Sequence, residues 1–136
     1  MAKKAERVII DTNLWISFLI KNDFKKLDGK IREGKIKLVF SVDLIDEFLT
    51  VAERPKFRKY FQKNDVEQLI KLFDSFGEVI EVKSEVLVCR DPKDNFLLSL
   101  SKDSHSDYLI TGDKALLELL EFEGTKILSM TNYLKK

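Results

Sequence analysis

RVIIDTNLWISFLIKN, residues 7–22, opens on a β-branched run and continues with apolar side chains at helical spacing. RVII (7–10) reads as a strand and LWISFLIKN (14–22) as a helix, with Asp11, Thr12 and Asn13 in the turn between them. The alternation continues along the chain. The charged stretch to Gly34 reads as a helix and IKLVF (36–40) as a strand. Ser41 can cap a helix whose apolar positions are Leu44, Ile45, Phe48, Leu49 and Ala52. PKFRKYF and DVEQLIKLFDSF read as further helices, EVIEV (78–82) as a strand, DNFLLSLSK as a helix and DYLIT (107–111) as a strand. KALLELLEF reads as a helix ended by Gly124, TKILS (125–129) as a last strand and TNYLKK as a helical tail. Strands separated by helices imply parallel pairing, because parallel strands need long crossovers. The expected class is therefore α/β, with a mainly parallel central sheet.

The chain has 136 residues, which suits one domain, and no repeat or Pro/Gly-rich linker divides residues 1–136. Hydrophobic residues are 44% and charged residues 35%, a soluble globular composition. Net charge is +1, so bulk charge names no partner. A single cysteine, Cys89, excludes an intramolecular disulfide and a cysteine zinc cluster. The start, MAKKAERVIID, lacks the apolar run of a signal peptide, and no stretch reaches the length of a membrane span. A cytoplasmic protein with no membrane partner is expected.

Function is sought where the acids fall. In open α/β sheets, ligands bind beyond the carboxyl ends of the strands. Asp11 follows RVII and Asp113 follows DYLIT, although each can equally cap the next element. Glu47 lies roughly 40° outside the buried arc of its helix at 100° per residue, at the edge facing the core, whereas Asp46 points farther towards solvent. In RDPKDNF (90–96), Asp91 can be an N-cap, Pro92 suits the first helical position and Asp94 falls at the third, as in a capping box. Capping and chemistry both remain open for Asp94 from these residues alone. Four acids converging at one sheet end would call for a hard divalent cation with oxygen ligands. Without one, two unit charges about 4 Å apart repel by roughly 4 kcal/mol at an effective dielectric near 20.

The stretches VIIDTNLWISFL, SVDLIDEFLTVAERPKF, CRDPKDNFLLSLS, SDYLITGDKALL and KILSMTNYL, spanning residues 8–134, together resemble the PIN-domain family. RDPKDN and SDYLITGD are similar to the branch containing toxin components of prokaryotic toxin–antitoxin pairs. The resemblance implies a three-layer α/β/α nuclease that cuts single-stranded RNA with Mg²⁺ or Mn²⁺, a small antitoxin protein as partner, and a homodimer. It assigns Asp11, Glu47, Asp94 and Asp113 as catalytic and metal-binding acids, Asn13 and Thr111 as supporting polar groups, and Asp91 and Asp107 as further acids of the branch. Asp91 is expected to act as the cap. Ser99, Ser101 and Ser106 depart mildly from the branch pattern and remove no carboxylate.

PKFRKYF (55–61) interleaves cations with rings, a mixture that binds single-stranded nucleic acid. Arg54, Lys56, Arg58 and Lys59 are therefore candidate RNA contacts, against the alternative of a solvated face with Phe57, Tyr60 and Phe61 in the core. Lys21, Lys25, Lys26 and Lys30 read as a solvated face, His105 as solvent-facing in a polar turn, and Cys89 as a core thiol. Two rival functions differ in their requirements. A receiver-type phosphoacceptor domain needs an acidic pair at the end of the first strand, where Ile10 precedes Asp11 alone. A non-catalytic PIN-fold binding module need not retain the four acids, and a metal-dependent cleavage assay separates it from a nuclease.

Overall fold

The computed structural model describes residues 5–21, 25–57, 59 and 63–136. In chain order the elements are β1 (Glu6–Ile10), α1 (Thr12–Lys21), α2 (Lys25–Arg32), β2 (Ile36–Phe40), α3 (Val42–Ala52), a 3₁₀ turn (Pro55–Phe57), α4 (Lys63–Phe76) and β3 (Gly77–Val79). A second 3₁₀ turn (Pro92–Asp94), α5 (Asn95–Ser104), β4 (Tyr108–Ile110), α6 (Lys114–Leu117), β5 (Glu121–Phe122), β6 (Thr125–Leu128) and α7 (Met130–Lys135) complete it. The sheet order is β3-β2-β1-β4-β6-β5, parallel throughout except for the β5–β6 pair. The mainly parallel sheet read from the alternation and the three-layer α/β/α architecture implied by the resemblance are both present. Among the described residues, no helix is long and apolar enough to cross a membrane.

The chain steps from β1 to β2 to β3 in one direction, then returns past β1 to β4 and β6. With right-handed crossovers, α1–α4 cover one face and α5 and α6 the other. On the first face Trp15, Phe48 and Phe73 bring three helices around Phe40 of β2, with ring centroids 4.4 Å apart for Phe40–Phe73 and 4.6 Å for Trp15–Phe73. Gly77 permits this packing: a Cβ there would lie 2.5 Å from the Phe73 carbonyl oxygen and 2.7 Å from the Phe40 ring. Ser41 caps α3 as expected, its hydroxyl accepting from the Leu44 N–H.

Three elements differ from the sequence reading. KALLELLEF is not one helix. α6 stops at Leu117, Leu120 turns outward with φ 64°, and Glu121–Phe122 pairs antiparallel with Thr125–Lys126. The two loop residues, Glu123 (φ 45°) and Gly124 (φ 87°), supply the positive φ values that a tight two-residue hairpin needs. Helical spacing of the leucines misled because the loop lets Leu120 stay exposed while Leu116 is buried. PKFRKYF begins with a 3₁₀ turn, Pro55–Phe57, in place of the first turn of an α-helix, and Arg58, Tyr60 and Phe61 lie outside the described residues. EVIEV contributes only its first two residues to β3.

Beyond β3 the chain runs irregularly along α5, and side chains of α5 satisfy its backbone. Asp103 accepts from the N–H groups of Lys83 (2.6 Å) and Ser84 (2.8 Å) and from the Ser84 hydroxyl. Ser99 accepts from the Val86 N–H at 3.0 Å, and Asn95 from the Cys89 N–H at 2.9 Å. Positions 95, 99 and 103 are four apart and form one stripe of the helix. Buried N–H groups without ladder partners would each cost free energy, and this stripe replaces the missing sheet neighbour.

Candidate metal centre

β1 and β4 are adjacent, and here the winding of the sheet reverses. The crevice beyond their carboxyl ends is the topological switch point. Asp11 and Thr111 are the first residues past the two strands, and both remain tied to the ladder: the Asp11 N–H donates to the Ile110 carbonyl and the Thr111 N–H to that of Leu128, each at 3.0 Å. The fully buried Thr111 hydroxyl donates to Asp11 Oδ2 at 2.8 Å and accepts from the Asp113 N–H at 3.0 Å. One hydroxyl thus fixes the spacing of two acids. Asp113 Oδ1 accepts from the Ala115 N–H at 2.8 Å, capping α6.

RDPKDNF brings two more acids. Asp91 caps the 3₁₀ turn, its Oδ1 3.4 Å from the Lys93 N–H, and Pro92 takes the first helical position. Asp94 stands at the N-cap of α5 and makes no side-chain cap. Its Oδ2 is buried without a hydrogen-bond partner. Asp91, Asp94 and Asp113 each present a carboxylate oxygen, and the three atoms lie within 4.8 Å of one another. Asp91 therefore caps and also joins the cluster, a combination that the sequence reading had divided between Asp91 and Asp94.

Asp11 is the buried neighbour of this trio, close enough for its charge to act on Asp94 and for Asp113 to act on it. Glu47 stands on the same side: its charge reaches Asp11, and its Oε2 accepts from the Thr12 hydroxyl at 2.6 Å. It is exposed and outside the three-acid group.

Crowding shows in the protonation. Burial, then a hydrogen bond with Asp113, then the charges of Asp113, Asp11 and Asp91 push the Asp94 carboxyl up to about 7. Asp113 is held below the usual carboxylate range, first by the hydrogen bond from Asp94. Asp94 is thus the acid of the cluster that favours keeping a proton near neutrality, with Asp113 ionised beside it. Burial raises Asp11, partly offset by the Thr111 hydroxyl and the Asn13 backbone N–H, while Glu47 and Asp113 raise it further.

Residues 7–115 match the PIN domain family, PIN_3. The chain belongs to the PIN-domain family. It is 34% identical over 124 residues to the uncharacterized protein MJ1680 of Methanocaldococcus jannaschii, covering 88% of this chain and 78% of that protein. Its fold is similar to the crystal structure of PAE2754 from Pyrobaculum aerophilum, with TM-score 0.63, 17% identity, and 98% and 91% of the two chains covered. It is also similar to the PIN domain of human SMG5, with TM-score 0.52, 12% identity, and 95% and 96% covered.

The trio of this PIN domain fits a hard divalent cation. The donors are all carboxylate oxygens, Asp94 also has a buried oxygen without a partner, and the crowding that raises the Asp94 carboxyl is what a cation would relieve. Of the other expected site residues, Asn13 contributes its backbone N–H, and its side chain is exposed. Asp107 is not brought here. It precedes β4 at the amino-terminal end of the sheet, where its Oδ2 accepts from the Arg7 N–H at 2.9 Å. A cavity of about 730 Å³ also lies at that end, lined by Glu6, Arg7, His105, Asp107 and Tyr108 among others, away from the acid cluster.

Arg54 and Lys56 are exposed beyond the far end of α3, and the Lys56 ammonium lies 5.0 Å from the Phe57 ring centroid. Lys59 is exposed, and Arg58 lies outside the described residues. His105 is solvent-facing and Cys89 buried, as expected. Three contributors escaped the sequence reading. Thr12 holds Glu47, Asn95 fixes the loop before Asp91, and Lys93 approaches Asp91 with its ammonium 3.5 Å from Oδ2. Asn95 directly follows Asp94 in RDPKDN, and its position beside a loop is the one available signal.

Proposed function

We propose that the protein is a divalent-metal-dependent endoribonuclease acting on single-stranded RNA, with Asp11, Asp94, Asp113 and Glu47 as its working acids and Asp91 as a further ligand. The observation that carries this reading is the trio of carboxylate oxygens within 4.8 Å at the switch point, with the buried Asp94 Oδ2 left without a partner. Asp91, Asp94 and Asp113 would hold Mg²⁺ or Mn²⁺. Such an ion, when bound, aligns a phosphodiester, activates water and stabilises the leaving oxygen. The chain's own groups set the geometry. Thr111 orients Asp11 and keeps Asp113 at a fixed distance from it. Thr12 holds Glu47 beside Asp11, where a carboxylate can accept a proton from an attacking water. Asp94, which favours keeping a proton in the empty site, would release it to solvent if a cation were held there.

The test is cleavage of an unstructured RNA with Mg²⁺ or Mn²⁺, with and without chelator, by the parent and by Asp94→Asn. Cleavage by the parent alone, and only with metal, is the expected result. A parent inert under all these conditions would return the chain to the class of PIN-fold binding modules. The finer reading, a toxin held in check by a small antitoxin protein and acting as a homodimer, rests on the likeness of RDPKDN and SDYLITGD to that branch. Growth arrest on expression, relieved by the product of a neighbouring small reading frame, tests it.

A further inference from the structure

We propose that Arg90 and Lys93, with the exposed Leu87 and Val88 beside them, form the track that carries the RNA strand past the acid cluster. The proposal rests on the nuclease reading for its substrate but on separate residues for its evidence. A strand entering a pocket of carboxylates meets repulsion along its length. A bound divalent ion neutralises the phosphate it touches, and neighbouring phosphates need cations from the protein.

The RDPKDN loop supplies them in alternation. Asp91 and Asp94 join the cluster, while Arg90 and Lys93 point outward with side chains 65% and 77% exposed. Lys93 stands 3.5 Å from Asp91, and Glu118 steadies Arg90 through a 2.9 Å hydrogen bond to its Nε. The charge of Lys93 reaches Asp113, and that of Asp113 reaches Arg90.

The apolar half of the track is equally local. Val86 and Cys89 are buried and pinned to Ser99 and Asn95 through their N–H groups. Leu87 and Val88 between them are 73% and 60% exposed, which the core does not require. Large apolar side chains next to phosphate-binding cations suit unpaired bases, whose faces are open, and not a duplex, whose faces are stacked. The whole rim is held on the α5 stripe, so it is ordered before any strand arrives. Arg54 and Lys56 are less well placed. Arg54 comes after α3 ends, about 10 Å of helix rise beyond the site acid Glu47, whereas Arg90 and Lys93 alternate with Asp91 and Asp94 in sequence.

The experiment uses a fluorescent unstructured RNA, read by anisotropy in chelator across a salt series and by cleavage kinetics with Mg²⁺. The variants are Arg90→Gln/Lys93→Gln, the charge-keeping Arg90→Lys/Lys93→Arg, and Arg54→Gln/Lys56→Gln. Loss of two phosphate contacts should lower the salt slope by about 1.4 and weaken binding roughly tenfold. KM should rise with little change in kcat, and the charge-keeping pair should restore both readouts; a larger effect for Arg54→Gln/Lys56→Gln than for Arg90→Gln/Lys93→Gln overturns the track. An unchanged slope and KM for Arg90→Gln/Lys93→Gln, while the parent cleaves, overturns the track and leaves the nuclease standing. A lowered slope with a parent that never cleaves supports the track and removes the nuclease. Leu87→Ser/Val88→Ser that alters only self-association, with RNA binding intact, also overturns the track and assigns the apolar rim to a protein interface.

Discussion

The two ends of the sheet carry the same residue types in opposite electrostatic states. Around Arg7 and the start of β1, the acids Glu6, Glu78 and Asp107 each have a donor. Arg7 reaches Glu78 at 2.7 Å and gives its N–H to Asp107, while Lys136 grips Glu6 at 2.8 and 3.0 Å. The hydrogen bond from Arg7 holds Glu78 below the usual carboxylate range. At the carboxyl-terminal end Asp94 and Asp11 are buried and pushed up, and the exposed ammonium of Lys93 lies 3.5 Å from Asp91. One end is neutralised from within. The other is built to be neutralised from outside. A cavity of about 730 Å³ lies at the first end, but the crowded carboxylates lie at the second.

The sharpest way to break this comparison is to remove one carboxylate from each end. Asp94→Asn should lower cleavage on the order of a thousandfold, equivalent to about 4 kcal/mol of barrier. Asp107→Asn should leave turnover within about twofold, the ordinary result for a surface group outside the chemistry. Equal losses measured in a single-turnover assay would dissolve the distinction between the ends.

The next effect concerns ligand stabilisation. At about a hundredfold excess over the dissociation constant, one Mg²⁺ or Mn²⁺ site contributes roughly 2.7 kcal/mol, several degrees for a domain of this size. Thermal melts with metal and with chelator should show that shift in the parent and in Asp107→Asn, and lose it in Asp94→Asn.

A smaller effect follows from pH. Asp94 has its folded-state pKa raised to about 7, above its unfolded value, so the folded chain keeps a proton that the unfolded chain has already lost. Stability of the metal-free protein should therefore fall as pH rises from about 4 towards about 7, and level off above. Asp94→Asn should flatten this dependence, matching the parent at the acid end and melting higher at pH 8. Parallel melting curves for the two proteins across that range would deny that Asp94 carries the proton.

The smallest effect is expected at the paired end. Glu78 is lowered, so its contribution is present above its unfolded pKa and disappears as pH falls through the folded value. The pair is partly exposed, and Glu78→Gln should cost under about 1 kcal/mol in denaturant unfolding, less in high salt. A loss several times larger would mean that this end is a buried network and that the contrast is one of burial.

Much of this contrast was legible in the sequence, and the gaps have physical causes. Asp11 and Asp113 follow short β-branched runs, so strand ends alone placed them together. Glu47 could be placed by helical angle, and the structure sets it beside Asp11. Asp107 sits in the same SDYLITGD stretch as Asp113, yet a strand sends its two ends to opposite edges of the sheet, and likeness of motif does not reveal that. Asp91 was read as a cap because a cap is a local property; membership of the trio depends on where α5 starts against β4. β5 was missed because KALLELLEF has the leucine spacing of a helix, while the decisive positive φ values at Glu123 and Gly124 belong to the hairpin. The stripe of Asn95, Ser99 and Asp103 was unreadable because its partners are backbone N–H groups, which every residue but proline has.

The central claim is that the carboxylates of Asp91, Asp94 and Asp113 form a divalent-cation site whose loading displaces a proton from Asp94. Titration calorimetry of Mn²⁺ into the parent near pH 6, repeated in buffers of different ionisation enthalpy, measures binding and proton release together. The account predicts saturable binding with close to one proton released per ion, and neither saturable binding nor proton release in Asp94→Asn. Binding that is equal in parent and variant, or that releases no proton from the parent, would contradict it.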